Sequence, residues 1–302
     1  MSSTEPEAIR AVPIRHWGRW VSGAVVLLLA TWLVQSALRS HFIDFHVVRR
    51  FLTKPIILRG LRNTIVLSVL AQATGIVLGV IFAVMRLSRN PVMKVVSAFY
   101  IWFFRGTPVL VQLFFWFNGV PSVFKHLTIA IPFTHITLYS KPMVAFMTPF
   151  MAAFLGLSLN EGAYMAEIVR AGILSVEEGQ VDAAQALGMT STLTLRRIVL
   201  PQAMRVIIPP TGNEFISMLK TSSLAEAITY AELLRVASDI YSTNLQPVPL
   251  LVVASIWYLV LTSVASVGQY YLERRFARGR ARELPETPFQ RIRRNLARAP
   301  RL

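Results

Sequence analysis

The chain has 302 residues, of which 54% are apolar and only 15% are charged, with a mean hydropathy of +0.52. Soluble proteins carry about 25% charged residues, so this composition excludes a soluble globular protein and indicates side chains that meet lipid. The net charge of +16 does not indicate nucleic-acid binding, because the basic residues separate apolar runs and no binding motif accompanies them. The absence of cysteine excludes disulfides, thiolate zinc sites and cysteine nucleophiles.

Six apolar segments predict an all-α, polytopic bundle of about six transmembrane helices. They lie at about 20–38, 61–85, 94–117, 143–169, 201–219 and 248–272. The first resembles the apolar part of a signal peptide. However, it is long enough to span a bilayer and no small-residue cleavage site closes it, so we expect a retained helix.

The second segment carries small residues at four-residue spacing, at Ala71, Gly75, Gly79 and Ala83. This spacing places them on one helix face, where a neighbouring helix can approach closely. The alternative is an ordinary scatter of small residues in a membrane helix.

The basic loops predict the orientation of the bundle. Arg86, Arg89 and Lys94 follow the second segment, and ten arginines follow Glu273. Both regions are expected in the cytoplasm, which places both termini inside. The loop 39–60 conflicts with this rule, since it carries five basic residues on the expected outer side, and we expect it to lie along the interface. The arginine-rich tail is expected to be mobile or held by lipid headgroups.

The stretch between the fourth and fifth segments predicts a helix–turn–helix knob. Val181–Leu187 consists mostly of good helix formers, and Gly188 suits the position after a helix end. One of Thr190, Ser191 or Thr192 can cap the following helix, and Pro201 can open the next one. Flanked by Arg196 and Arg197, this rigid knob would project on the cytoplasmic side and dock a soluble partner; a plain connecting loop is the alternative.

The same stretch resembles the EAA loop of bacterial ABC importer permeases. The matching residues are Asp182, Ala183, Ala184, Gly188, Ile198, Leu200 and Pro201. Asp182 stands where the family usually has Glu, which keeps the charge. The resemblance implies a type I importer permease-like fold in which this loop, at about 175–201, forms a coupling helix that docks on a separate ATP-binding subunit.

Further motifs are similar to the polar amino acid subgroup, the histidine/glutamine-type permeases. They are Gly60-Leu-Arg-Asn-Thr64, Arg105-Gly-Thr-Pro108 and Lys220-Thr-Ser-Ser-Leu224. The resemblance covers about residues 60–272 and implies a core permease domain at 61–272. Residues 1–60 would form an N-terminal segment with an extra helix and a connecting loop, and 273–302 a basic tail.

The resemblance also implies a function and a set of partners. The chain would translocate polar amino acids, or similar small polar solutes, across a bacterial inner membrane by alternating access. Its expected partners are ATP-binding cassette ATPase subunits, a second permease subunit (identical or sister), an extracytoplasmic solute-binding protein and membrane lipids. ATP with Mg²⁺ would be bound by the ATPase subunits, and this chain would bind no cofactor itself.

Ionisable residues inside membrane segments are costly and therefore point to function. Glu161 and Glu167 can each attract a substrate ammonium or guanidinium group. Arg170 stands three residues after Glu167, which favours a local ion pair there, whereas Glu161 has no such partner and is a candidate for the pathway. Arg105 can bind a substrate carboxylate, but a structural role at the bend expected near Pro108 is favoured.

A double proline, Pro209–Pro210, is expected to break the fifth segment. Broken membrane helices are tolerated where they line a watery cavity. Asn213, Glu214 and Ser217, which follow the prolines, are therefore further candidates for the substrate pathway.

Several catalytic motifs are absent from the sequence. No lysine follows a glycine, so the chain has no Gly-Lys-Ser/Thr phosphate loop and is expected not to hydrolyse ATP. No HExxH or G-x-S-x-G motif appears, and we expect a transport subunit rather than an enzyme. The competing class is a stand-alone secondary transporter with Glu161 as an ion or proton carrier. No second half-repeat is visible in the sequence to support it.

Overall fold

The computed structural model describes residues 17–39, 43–130 and 137–276, and it is predominantly helical there. The first helices are α1 (Trp17–Arg39), α2 (Phe45–Leu52), α3 (Pro55–Leu87), α4 (Pro91–Gly106), α5 (Val109–Phe114) and α6 (Val120–Val123). A two-stranded antiparallel hairpin follows, β1 (His126–Ala130) with β2 (Thr137–Pro142). The later helices are α7 (Met143–Phe146), α8 (Pro149–Leu174), α9 (Glu178–Ala186), α10 (Ser191–Thr194), α11 (Leu200–Thr221), α12 (Leu233–Asn244) and α13 (Pro247–Phe276).

All six predicted apolar segments are helical in this structure. By length and composition, α3 and α13 are each able to cross a membrane, and a bent pair of helices can supply a third span. The bent pair consists of α4 and the helix Val109–Val123, which meet at 104°. The bend follows Gly106 and confirms the kink expected near Pro108. Most of the arginine-rich tail lies outside the described residues.

The small-residue stripe of α3 is a packing surface, as predicted. Ala71, Gly75, Gly79 and Ala83 are all buried. A Cβ atom on Gly75 would overlap the side chain of Glu161, and one on Gly79 would overlap Met165. The missing side chains therefore allow α8 to pack directly on the backbone of α3.

These contacts also give the directions of the helices. Gly75 meets Glu161 and Gly79 meets Met165, so α3 and α8 run in parallel. On α11 the contact order is reversed, because Gly172 near the end of α8 meets Ile207 near the start of α11. α13 in turn runs antiparallel to α11. The ends of α3, α8 and α13 and the start of α11 therefore lie at one end of the bundle, which we call the knob end because α9 and α10 are there.

The expected break at Pro209–Pro210 is wrong. α11 is continuous from Leu200 to Thr221, with both prolines inside it. Each proline removes a backbone donor, but α11 is held between α8 and α13 along its length. Gln269 of α13 donates from Nε2 to the carbonyl oxygen of Pro209 at 3.1 Å. Tertiary contacts thus outweigh the local preference to end the helix.

At the end opposite the knob, a buried carboxyl group joins three helices. Glu232 is fully buried and caps α12, accepting hydrogen bonds from the backbone nitrogens of Leu234 at 2.9 Å and Arg235 at 2.6 Å. The hydroxyl of Tyr258 in α13 donates to Glu232 at 2.7 Å, and Thr64 of α3 lies within 3.4 Å. Four donors around one buried carboxyl group fix α12 against α3 and α13.

Candidate functional site

A cavity of about 300 Å³ opens among the helices in the middle of the bundle. Its wall comes from α5, α8 and α11. The lining residues are Val109, Leu157, Asn160, Glu161, Tyr164, Glu214, Ser217, Met218 and Thr221. Its volume is at the lower bound of small-molecule sites, which usually run from about 300 to 1,000 Å³.

Glu161 is the most deeply buried charged residue in the wall, at 4% exposure. Its Oε1 accepts a hydrogen bond from Gln72 Nε2 of α3 at 2.9 Å. Gln72 is itself buried, and its own amide oxygen finds no hydrogen-bond partner among the described residues. Burying a carboxyl group in an apolar packing face costs free energy, so its presence there points to a functional role.

A second carboxyl group, that of Glu214, lies in the same cavity and is half-buried. It is close enough to Glu161 for the two charges to repel each other. The salt bridges seen in the described parts of the chain join other residues, so neither carboxyl group has an ion-pair partner there. The cavity therefore has an excess of negative charge that a cationic ligand would compensate.

Arg105 lies beside the cavity rather than in its wall. Its guanidinium carbon is 5.1 Å from the ring centre of Tyr164, which is a cation–π distance. Its charge also acts on Glu214. Arg105 thus supplies a positive charge at one side of a negative cavity, a pattern that suits a ligand carrying both charges.

Hydrogen bonds at the bend between α4 and α5 fix this side of the cavity. The carbonyl oxygen of Phe104 loses its helical donor where α4 ends, and it accepts from Asn160 Nδ2 at 2.8 Å and Gln112 Nε2 at 3.0 Å. The hydroxyl of Tyr100 donates to the carbonyl oxygen of Leu159 at 2.7 Å. Amide side chains therefore replace the lost backbone donor and hold the bend against α8.

The structure brings together three of the predicted pathway residues, Glu161, Glu214 and Ser217, with Arg105 adjacent. Asn213 lies on another face of α11, where its Oδ1 accepts from Gln269 Nε2 at 3.0 Å. The expected pair of Glu167 and Arg170 is confirmed at 2.7 Å.

Sequence reasoning missed three polar residues of the site, Gln72, Asn160 and Tyr164. The signal for Gln72 was available, because it is a polar side chain within a strongly apolar span.

The knob forms a second candidate site. Gly188 lies just after the end of α9, as predicted, and its backbone is left-handed, with φ of +78°. The nitrogen of Gly188 donates to the carbonyl oxygen of Gln185 at 2.9 Å, and that of Met189 donates to Ala184 at 3.1 Å. This pair of bonds is a Schellman motif, which closes the helix end. Thr190 caps α10 by accepting from the nitrogen of Leu193 at 3.4 Å.

The knob is anchored to the bundle at its base and exposed at its tip. Val176 and Val199 are buried in a cluster with the ends of α8 and α11, and Val181 packs against it. At the tip, Asp182, Ala183 and Gly188 are exposed, and Leu187 is 83% exposed. A π-helical turn at Leu195–Val199 leads directly into α11, so Pro201 lies in a continuous helical path. The knob is therefore joined without a break to the helix that carries Glu214.

Comparison with protein families gives one family match, and its range includes the knob and most of the bundle. Residues 75–278 match the family described as "Binding-protein-dependent transport system inner membrane component".

Two characterised relatives support the same family. The chain is 48% identical over 284 residues to the arginine transport system permease protein ArgU of Corynebacterium glutamicum, covering 94% of this chain and 88% of the relative. It is 39% identical over 225 residues to the L-cystine transport system permease protein TcyB of Bacillus subtilis, covering 74% and 88% of the two chains.

Solved structures agree with the sequence comparisons. One chain of a crystal structure of an amino acid ABC transporter with histidines is 35% identical, with a TM-score of 0.65, covering 77% of this chain and 99% of the other. A chain of the MetNI methionine ABC transporter in an inward-facing conformation is 17% identical with a TM-score of 0.59, covering 74% and 97%, and it shows the fold alone. The chain therefore belongs to the family of inner-membrane components of binding-protein-dependent transport systems, the permease subunits of ABC importers, and its resemblance to the polar amino acid permeases is confirmed.

Proposed function

We propose that this chain is the permease subunit of an ABC importer for amino acids with a cationic side chain. The observation that carries the substrate class is the pair of carboxyl groups, Glu161 and Glu214, that share one cavity without an ion-pair partner in the described structure. A guanidinium or ammonium group placed between them would relieve their mutual repulsion. The arginine named for the relative from Corynebacterium glutamicum has this chemistry.

A positive charge beside the cavity supports recognition of the backbone of an amino acid. Arg105, held over the ring of Tyr164, can donate two parallel hydrogen bonds to a substrate carboxylate. Asn160 and Ser217 add neutral polar groups to the wall. A zwitterion with an extra positive charge would thus suit the two carboxyl groups and the neighbouring guanidinium group, whereas an acidic side chain would meet like charge.

The knob is proposed to couple the cavity to ATP hydrolysis in separate ATP-binding subunits, which would hold ATP with Mg²⁺. Leu187 and the exposed face with Asp182 and Ala183 would dock into those subunits. ATP binding would favour a closed arrangement of the ATPases and pull on the knob, and α11 would transmit the movement to Glu214. Such a change is driven only by the difference in ATP affinity between the two states.

The assembly and orientation follow from the same proposal. A second permease subunit would complete the pathway, and an extracytoplasmic solute-binding protein would deliver the substrate. The knob end would face the cytoplasm of a bacterial cell, because Arg86, Arg89, Lys94, Arg196 and Arg197 cluster there. The residues at this end then follow the positive-inside rule, with the tail after Phe276 on the same side.

The alternative of a stand-alone secondary transporter is not favoured. Membership in a binding-protein-dependent family and the ordered knob both point to an external energy source.

Uptake into proteoliposomes tests the proposal. The chain would be purified with its co-expressed ATP-binding subunit and solute-binding protein, and radiolabelled arginine would be supplied outside vesicles that hold ATP. We expect ATP-dependent uptake that excess unlabelled lysine or ornithine competes away and excess glutamate does not. Uptake in the absence of the ATP-binding subunit would contradict the importer, and equal competition by glutamate would contradict the cationic substrate.

A further inference from the structure

The end of the bundle opposite the knob carries a surface that the transport function leaves unexplained. Its members are basic and exposed, and we call them the basic collar: Arg49, Arg50, Lys54, Arg59 and Arg62. We propose that the basic collar binds the headgroups of anionic phospholipids in the leaflet opposite the knob. The inference concerns the bundle in its membrane and does not depend on which solute is transported.

The packing of α2 places the first part of the collar beside α12 and α13. Val48 is buried in a cluster with α12 and α13, and Phe51 and Leu52 pack against the same cluster. The indole Nε1 of Trp257 in α13 donates to the carbonyl oxygen of Leu52 at 2.9 Å. α2 is therefore an amphipathic helix fixed to the side of the bundle, and Arg49 and Arg50 are on its exposed side.

The length of α3 gives the depth of the other members. Its 33 residues extend about 50 Å at 1.5 Å per residue, whereas a hydrocarbon core is about 30 Å thick. Arg86 marks the knob end of α3, so roughly the first ten residues extend past the hydrocarbon at the other end. Arg59 and Arg62 lie in that part. At the same depth, Trp257 and Tyr258 of α13 donate hydrogen bonds to Leu52 and Glu232. Trp and Tyr are enriched at the membrane–water interface.

No acidic side chain of the described residues forms an ion pair with the collar. The neighbouring acid, Asp44, caps α2 by accepting from the backbone nitrogens of His46 at 2.9 Å and Val47 at 3.2 Å. The ion pairs of the described residues lie elsewhere, in α8 and α12. These five exposed basic side chains lie on the side where positive charge is disfavoured in short loops. Without an ion-pair partner in the described part of the chain, they suit an anionic surface.

Apolar side chains among the cations favour a lipid over a water-soluble acidic protein. Phe45 is 54% exposed, Ile56 48% and Leu58 39%, and they alternate with the basic residues. Beyond Arg62 the same side of α3 continues as the exposed apolar residues Ile65, Val66 and Val69. A phospholipid suits both the basic and the apolar residues, because its headgroup can contact the cations while its acyl chains lie along the apolar stripe.

Photo-crosslinking of lipid in the assembled transporter tests the proposal. The full complex would be reconstituted in phosphatidylcholine vesicles that contain a minor fraction of phosphatidylglycerol with a photoreactive group near its glycerol. After illumination, labelled peptides would be mapped by mass spectrometry. We expect label on the peptides of α2 and the start of α3, and at least threefold less label there when Arg49, Arg50, Arg59 and Arg62 are all changed to Gln.

Two control variants separate lipid binding from misfolding and from general charge. Changing the same four residues to Lys keeps the charge and should keep the label. Changing Arg274→Gln and Arg275→Gln at the knob end should leave the label on α2 and α3 unchanged. Equal labelling of the Gln variant and the wild type, or equal labelling by a phosphatidylcholine analogue, would overturn the proposal. It would also be overturned if the Gln variant kept its label and lost affinity for the solute-binding protein, which would make the collar a protein-docking surface.

Discussion

Gln72 and Glu161 form a hydrogen bond of 2.9 Å that joins α3, an apolar membrane helix, to the acidic wall of the central cavity. The bond lies next to Gly75, whose missing side chain makes room for Glu161. The packing of the two helices and the placement of the carboxyl group therefore depend on each other. This relationship connects the small-residue stripe, a structural feature, with the site proposed to receive the substrate.

Loss of charge in the cavity is expected to impair transport of cationic substrates. Glu161→Gln and Glu214→Gln should each lower the ratio of maximal rate to KM for arginine uptake tenfold or more, because a charge-assisted hydrogen bond contributes about 1.5–3 kcal/mol. Glu167→Gln is the matched control on α8, since Glu167 pairs with Arg170 and does not line the cavity. Transport assays in proteoliposomes would measure all three. Equal rates for the Glu161 and Glu167 variants would contradict the assignment of the cavity.

Added volume between α3 and α8 is expected to destabilise the bundle. Gly79→Ala should cost about 1–3 kcal/mol, the usual range for overpacking, because its Cβ would overlap Met165. Gly268→Ala in α13 adds the same methyl group where no atom lies within 4 Å, and it should be neutral or stabilising. Thermal unfolding in detergent would compare the two variants. Similar melting temperatures would show that the contact between α3 and α8 is looser than described.

The left-handed residue at the end of α9 is expected to matter for coupling. Gly188→Ala has free space around its Cβ but a φ of +78°, which costs an alanine about 1–2 kcal/mol. We expect the affinity for the ATP-binding subunit to fall by roughly five- to thirtyfold, since 1.4 kcal/mol is tenfold. Asn tolerates this conformation better, so Gly188→Asn should bind nearly normally. Binding of the purified subunits measured by biolayer interferometry would test the order wild type, Asn, Ala.

The buried carboxyl group of Glu232 is expected to stabilise the end of the bundle opposite the knob. Glu232→Ala leaves the nitrogens of Leu234 and Arg235 and the hydroxyl of Tyr258 without an acceptor. Loss of a helix cap costs about 1 kcal/mol and each buried unsatisfied group about 1–3 kcal/mol, so a loss of roughly 3 kcal/mol or more is expected.

The control for Glu232 lies in the same helix. Asp239 pairs with Arg235 at 2.9 Å and is 56% exposed, so Asp239→Ala should cost at most about 1 kcal/mol. Thermal unfolding would again measure the loss of stability in both variants. A larger loss for Asp239 than for Glu232 would contradict the role given to the buried carboxyl group.

Much of the fold could be predicted from the sequence, because lipid imposes a simple requirement on each span. Three of the patterns report a local property. Apolar segments indicate burial, the four-residue stripe of α3 indicates close approach of a helix, and Gly188 indicates a left-handed backbone. The pair of Glu167 and Arg170 is also local, since it depends on a spacing of three within one helix. All of these predictions were confirmed.

Features that depend on distant parts of the chain could not be predicted in this way. α11 continues through Pro209–Pro210 because α8 and α13 hold it, and the donor to the Pro209 carbonyl is 60 residues further along the chain, at Gln269. Gln72 belongs to the site because α3 and α8 run in parallel, which no single segment reveals. The hairpin of β1 and β2 likewise depends on pairing across a connection rather than on an apolar run.

The most direct test of the proposed coupling is co-purification of the tagged chain with its ATP-binding subunit in mild detergent. Leu187 in the knob and Leu245 at the opposite end are both 83% exposed, so Leu187→Asp and Leu245→Asp make a matched pair. We predict that the ATP-binding subunit co-purifies stoichiometrically with the wild type and the Leu245 variant and is lost from the Leu187 variant. A chain that purifies alone, yet moves arginine into vesicles without ATP, would contradict the importer mechanism.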